Sequence, residues 1–211
     1  MMRGTRRGTM ERYSQAAENN KAPILAALRA AFPEVARVLE IGSGSGQHAL
    51  HFTASWPGLR WQPTEHPAVL PALEGNLRAA PCPAISSPQG LDLAGRPWPE
   101  GPWDGVYAAN VMHIVSVPLG EALLRGAAAV LRAGGLLALY GPYRFQGAFT
   151  AASNAEFDQW LKARDPESGV RDFEALCAVA ASVDLEALPP QPMPANNHLL
   201  LFRRRSAPVT S

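Results

Sequence analysis

The chain has 211 residues, 47% of them hydrophobic and 18% charged, with a formal net charge of +1. That length suits one domain with a sizeable core, and that balance excludes a disordered chain. The near-zero charge offers no global attraction for nucleic acid or for an anionic membrane.

Residues 1–12 are basic, with no apolar run behind them, and read as a disordered N-terminus rather than a secretory signal. Residues 13–205 read as one domain and 206–211 as a disordered tail. "SQAAENNKAPILAALRAAF" carries Ile24, Leu25 and Leu28 at helical spacing, with Pro23 suited to a first turn. "ARVLEI" is a short buried strand, and "QHALHFTASW" a helix with Ala49, Leu50, Phe52 and Trp56 on one face. "LRWQP" is a strand that should end near Gln62, because Pro63 cannot donate to a ladder. Pro67 opens a helix to about Ala80, and "PCPAISSPQGLDL" holds at most a short strand. "WDGVYAAN" is a strand. "PLGEALLRGAAAVLRAGG" is a helix that Gly134 should stop, and "LLALYGPY" is a strand. "SNAEFDQW" places Ser153 and Glu156 at capping-box spacing, opening a helix to about Arg164. "RDFEALCAVAASV" is a helix and "HLLLFRRR" a closing strand. Alternating strands and helices argue for an α/β fold, a doubly wound, mostly parallel sheet covered on both faces. Cys82 and Cys177 form no CxxC and read as free thiols in a reducing, cytoplasmic setting. No apolar run reaches transmembrane length.

The stretch "VLEIGSGSGQHA" places Gly42, Gly44 and Gly46 in a strand-to-helix turn. Glycine there allows φ > 0 and close approach of another group, and the helix start beyond it favours an anionic ligand group. The dinucleotide fingerprint needs a sixth-position glycine, where this chain has Gln47. Glu40 sits in the strand end, unwelcome to a pyrophosphate but tolerable to a ligand with a cationic centre. S-adenosylmethionine has such a centre, plus a carboxylate for the helix N-terminus. Glu65 follows the second strand about 20 residues after the turn, where a carboxylate can accept both ribose hydroxyls. Asp92, after the possible third strand, reads either as a partner of the adenine amino group or as a surface loop residue.

These residues resemble the class I S-adenosylmethionine-dependent methyltransferases. The wording is closer still to a small methyltransferase-like family long labelled a domain of unknown function. "AAENNKAPI", "LEIGSGSGQHA", "WQPTEHP", "ANVMHI", "LYGPY", "SNAEFD", "RDPESGVRDFE" and "MPANNHLLLF" carry that resemblance in order. It implies a single-domain Rossmann-like methyltransferase fold of seven strands with the last antiparallel, and binding of S-adenosylmethionine by Glu40, Gly42, Ser43, Gly44, Gly46, Glu65, Asp92, Asn110 and Asn20. Glu65 stands where aspartate is the commoner form. No substrate is implied.

Methyl transfer chiefly requires alignment of nucleophile, methyl and sulfur, so catalytic residues can be few. The loop after strand four, which faces the methyl group in this fold, reads Asn110-Val111-Met112-His113-Ile114. It lacks the Asn-Pro-Pro-aromatic signature of many methyltransferases acting on bases or glutamine, so a small-molecule acceptor is expected and nucleic acid is not. His113 is either a base near neutral pH or a histidine packed under the next helix. Tyr140 and Tyr143 either line the acceptor pocket, Tyr143 then being catalytic, or stiffen a turn. Asn196 and Asn197 either bond a polar substrate or build a turn. The "ENNK" segment, Glu18 to Lys21, either closes over the methionine end of the cofactor or is a solvated cap. His48 and His51 lack a matching carboxylate or cysteine cluster, so no metal is expected. Two alternatives stand beside the enzyme: a non-catalytic S-adenosylmethionine-binding module, and a nicotinamide oxidoreductase that Gln47 and Glu40 disfavour.

Overall fold

The structure, a computed structural model, describes residues 10–32, 37–95 and 97–206. The stretches 1–9 and 207–211, parts of the expected disordered ends, lie outside these residues. Glu11, within the residues 1–12 expected to be disordered, is held on Asn76 by two hydrogen bonds, N to Oδ1 at 2.9 Å and Nδ2 to O at 2.8 Å.

Helix α1 spans Gln15–Ala31 and is capped by Ser14 Oγ, which accepts from Ala17 N at 3.2 Å. Pro23 lies inside this helix, not in its first turn. It removes the backbone bond that would end on the Asn19 carbonyl, and burial of Ile24, Leu25 and Leu28 carries the helix past it. Strand β1 (Arg37–Ile41) and helix α2 (Gln47–Ser55) flank the glycine turn. Strand β2 (Arg60–Glu65) runs through Pro63 rather than ending at Gln62. Trp61 and Glu65 bond outward, to Ala84, Ser86 and Leu91, while Thr64 O bonds toward the β1 side. Pro63 therefore faces the outer edge, between two separate pairings, where no ladder bond is lost. Helix α3 spans Leu70–Ala79, later than Pro67, with Pro71 in its first turn where no donor is needed. Strand β3 is two residues, Gln89–Gly90.

Strand β4 (Trp103–Ala109) leads to helix α4 (Val117–Val130) and strand β5 (Leu131–Gly141). The helix stops before Gly134. That glycine, at φ +75°, instead serves an irregularity in β5, where the partner register jumps from Trp103–Leu131 to Gly105–Leu136. Strands β6 (Tyr143–Phe145) and β7 (Ala148–Phe149) form a hairpin, with Gln146 and Gly147 both at positive φ. Helix α5 (Ala152–Arg164) has Ala151 as its N-cap and no side-chain cap bond, so the expected Ser153–Glu156 box does not form. Strand β8 (Arg171–Asp172) completes a three-stranded sheet, β7-β6-β8. Helix α6 (Phe173–Ala181) and strands β9 (Leu185–Ala187), β10 (Gln191–Met193) and β11 (Asn197–Arg204) close the described chain.

The main sheet runs β10-β11-β5-β4-β1-β2-β3, with β9 also on β11. Strands β1 to β5 pair in parallel, and β11 is antiparallel to β5. Side chains alternate across it. Leu39, Ile41, Val106 and Leu139 pack with Leu123, Leu124 and Ala127 of α4 and with Leu176 of α6. Val38, Tyr107 and Ala138 pack with Ile24 and Leu28 of α1 and with Phe52 of α2. Strand order reverses between β1 and β4, so their carboxyl ends open the crevice in which such sheets place ligands. Among the described residues, no helix is long and apolar enough to cross a membrane.

Candidate active site

The three glycines of the turn all have positive φ: +71° at Gly42, +57° at Gly44 and +85° at Gly46. Their surroundings differ. A Cβ on Gly42 would meet Val111 Cγ2 at 2.8 Å, and one on Gly46 would meet Leu77 Cδ2 at 2.9 Å. One on Gly44 would meet nothing within 4 Å. The outer two glycines admit the neighbouring β4 loop and α3; the middle one faces open space. Helix α2 begins at Gly46 with no side-chain cap, leaving first-turn N–H groups for another acceptor.

Two acids flank the turn. Glu65 points back to it, accepting from Gly44 N at 2.7 Å through Oε2 and from His66 N at 2.8 Å through Oε1. An ionised carboxylate has about four acceptor sites, so two remain for a ligand. Glu40 is 2% exposed and accepts from Trp61 Nε1 at 2.8 Å. Burial pushes its pKa up to about 7, against the pull of Trp61 and of neighbouring Ser43. Asp92 is exposed after β3, and its Oδ1 accepts from Ala94 N at 2.9 Å in a local turn.

Gln47 and His48 tie α1 over this turn. Gln47 Oε1 accepts from Ser14 N and from Ser45 Oγ, each at 2.8 Å, and Gln47 Nε2 donates to Glu18 Oε2 at 3.1 Å. His48 Nε2 lies 2.8 Å from Asn20 Oδ1, and Nδ1 lies 3.2 Å from the Tyr107 hydroxyl. Burial pushes His48 down to about 4, so it is neutral, with one nitrogen donating to Asn20 and the other accepting from Tyr107. Both nitrogens are thus taken, which removes His48 and His51 as a metal pair. Among the described residues, no three His, Cys, Asp or Glu side chains are placed to hold a metal ion.

A cavity of about 1100 Å³ is bounded by α1, the loop after β4, the end of β5, α5 and the β10–β11 hairpin. Asn20, Asn110, His113, Tyr140, Asn196 and Asn197 all line it. Asn110 takes φ +59°, and its N donates to Tyr140 O at 2.8 Å. Asn110 and His113 meet above Gly141, where a Cβ would lie 3.7 Å from Asn110 Oδ1 and 3.5 Å from His113 Nδ1. The His113 ring is 5% exposed and sits edge-on to Phe157, with centroids 5.1 Å apart. Burial, then the charge of Arg171, pushes its pKa down to about 4. His113 is thus packed against Phe157 and lines the cavity as a neutral imidazole. Asn197 Nδ2 donates to Pro194 O and Ala195 O, each at 3.2 Å, within the hairpin turn.

Tyr143 is a correction. It is 1% exposed in the core with Leu139 and Phe145, its hydroxyl has no hydrogen-bond partner, and it does not line the cavity. Tyrosine at that place fills a core position on β6, so it cannot act on a substrate in the cavity.

Sequence reasoning missed the device that holds His113. Four consecutive carbonyls of its loop are taken by residues 168–171. Arg171 Nε donates to Met112 O at 3.0 Å and its Nη2 to Val115 O; Gly169 N donates to His113 O at 2.9 Å; Ser168 Oγ donates to Ile114 O at 2.6 Å. The signal was present as "ESGVR", polar and irregular, but no spacing rule links it to residue 113. Asn154, Phe157 and Trp160 of α5, which also line the cavity, were missed for the same reason.

Residues 11–204 match the family described as "Protein of unknown function (DUF938)". Among solved structures, the chain is similar to human N-acetylserotonin methyltransferase in complex with SAM, at 16% identity over 91% of this chain and 53% of that one, TM-score 0.79. It is similar to an O-methyltransferase family protein from Burkholderia thailandensis, at 16% identity over 91% and 58%, TM-score 0.78. It is also similar to the mitomycin 7-O-methyltransferase MmcR, at 20% identity over 90% and 54%, TM-score 0.77. The chain spans about half the length of these proteins. At such identities the likeness shows a shared fold, that of the class I S-adenosylmethionine-dependent methyltransferases.

Proposed function

This chain belongs to the DUF938 family of unknown function, and we propose that it is a methyltransferase that uses S-adenosylmethionine on a small-molecule acceptor. One observation carries the reading: open space over Gly44, next to the Glu65 carboxylate, lies at the carboxyl end of β1, where the strand order reverses. The residues present fit the cofactor. Glu65 has acceptor sites left for a ribose diol, and the bare helix start at Gly46 suits the carboxylate of its methionine end. Asn20 and Asn110 line the cavity where that end would emerge, and Glu40 near its titration point lies where a cationic centre would favour the ionised form. Gly42, Ser43 and Gly46 shape the backbone around it, and Asp92, exposed after β3, would accept from the adenine amino group. When bound, the cofactor supplies an activated methyl group.

This chain's residues then do three things. The clamp on the 112–115 carbonyls fixes the His113 ring against Phe157. His113, neutral at pH 7, can accept a hydrogen bond from an acceptor hydroxyl or amine. Closure of α1 through Gln47 and His48 keeps Asn20 at the cavity wall and limits water. A cavity lined by Asn20, Asn110 and His113 favours catalysis over the binding-only module, which needs no acceptor space.

Isothermal titration with S-adenosylhomocysteine (SAH) and with NAD tests the cofactor. Tight binding of SAH alone is expected; binding of NAD alone ends the reading. A metabolite-extract assay with labelled methyl donor, read by mass spectrometry, should give a labelled small molecule.

A further inference from the structure

The lining of the cavity is unlike on its several sides. On α5, Phe157 and Trp160 stack with centroids 5.7 Å apart and planes 17° apart, and His113 meets Phe157 at 77°. Together they form an aromatic wall. Trp160 is 51% exposed, so its ring is not committed to the core. Most of the polar lining is uncharged, with six carboxamides that include Asn20, Asn110 and Asn154. The charged lining residues are Arg12, Arg164 and Asp165. Asp165 already accepts from Glu167 N through Oδ1 at 3.0 Å, in its own turn. The Arg164 guanidinium lies 4.5 Å over the Trp160 ring.

We propose that this cavity takes a flat conjugated ring bearing an anionic group, with the ring against Phe157 and Trp160 and the anion toward Arg12 and Arg164 at the mouth. The inference rests on the methyltransferase reading only in treating another polar atom of that ring, turned toward His113, as the methyl acceptor. A flat ring gains offset stacking that a puckered one cannot match, about 0.5–1.5 kcal/mol per aromatic pair. A cationic ligand has little to meet. Two arginines oppose one carboxylate there, and the Arg164 guanidinium leaves the Trp160 face for the anion as the ring enters. A carboxylate or sulfonate matches the planar fork of a guanidinium. Cavities for drug-sized ligands run to roughly 300–1,000 Å³, so one of about 1100 Å³ has room for a one- or two-ring compound beside the end of a cofactor.

The test uses four probes on the whole protein at neutral pH: hydroxynaphthoate, neutral naphthol, cationic (aminomethyl)naphthol, and the saturated decalin analogue of hydroxynaphthoate. SAH is titrated first by itself, then each probe with and without it, by calorimetry and tryptophan fluorescence. Hydroxynaphthoate should bind tightest. The double variant Arg12→Gln/Arg164→Gln should weaken it about tenfold and leave naphthol unchanged. Trp160→Ala should weaken hydroxynaphthoate and naphthol, and its exposed site leaves folding unaffected. The inference is overturned if the cation or naphthol binds as well as the naphthoate, if the saturated acid equals it, if no probe binds, or if the arginine variants change nothing. Failure of SAH to bind counts against the methyltransferase reading alone, because the ranking of probes without SAH still judges the cavity.

Discussion

Replacing Gly44 and Gly46 in turn by alanine separates ligand space from packing space. Both have positive φ, +57° and +85°, so either alanine pays a left-handed backbone penalty of about 1–2 kcal/mol. At Gly44 that is the whole effect on stability, because the new Cβ has nothing within 4 Å. At Gly46 the Cβ also enters the α3 side chains, 2.9 Å from Leu77 Cδ2 and 3.1 Å from Leu73 Cδ1. Leu73 is fully buried and cannot give way, so overpacking adds about 1–3 kcal/mol. For a domain of this size about 1 kcal/mol moves Tm by roughly 2–4 °C. Gly44→Ala should therefore lower Tm by roughly 2–8 °C, and Gly46→Ala by clearly more. The order reverses for the ligand's space: Gly44→Ala should weaken SAH about tenfold or more by calorimetry while the protein stays folded. Wild-type affinity in Gly44→Ala would refute the placement of the cofactor, and a greater stability loss there than in Gly46→Ala would refute the packing account.

Glu65→Ala removes two accepted hydrogen bonds and the acceptors offered to a ribose, so SAH affinity should fall by about 1–3 kcal/mol; unchanged affinity by calorimetry makes Glu65 a bystander. Arg171→Ala releases the carbonyls of Met112 and Val115, and should speed hydrogen exchange across residues 111–115 with a stability loss of about 2–3 kcal/mol; unchanged exchange would mean that the clamp does not hold the loop. The pH profile follows from buried groups. His48 and His113, held to about 4 against 6.5 when unfolded, each contribute about 3 kcal/mol that is complete above pH 6.5 and lost as pH falls toward 4. Glu40 runs the other way: its folded pKa of about 7 against 4.5 gives stability that is present below pH 4.5 and lost as pH rises through 7. Two groups oppose one between 4.5 and 6.5, so Tm should climb across that window, and His48→Gln should flatten the climb. A Tm independent of pH there would mean that these side chains are solvated in the native state.

The glycine turn and its acid were legible because their cause is local. Three positive φ angles must come from residues 42 to 46, and a carboxylate after the next strand must lie beside them once two parallel strands pair. The same holds for the order of strand and helix, since period and punctuation are properties of contiguous residues. Where prolines and glycines misled, context had decided. Pro63 is harmless because the ladder on its side is interrupted, Pro23 because flanking leucine and isoleucine are buried, and Gly134 because it serves a strand irregularity and not a helix end. Tyr143 and the acceptor cavity lay beyond sequence reasoning for one reason. Whether a hydroxyl faces a ligand or a core depends on which distant segments pack against it. The cavity is assembled from α1, the β4 loop, α5, the 168–171 clamp and the last hairpin. Sequence alone determined that this chain bends its backbone through three left-handed glycines between a strand and a helix. Tertiary structure alone decided what faces the cavity, because burial sets both which side chains reach the space and which of them remain uncharged at neutral pH.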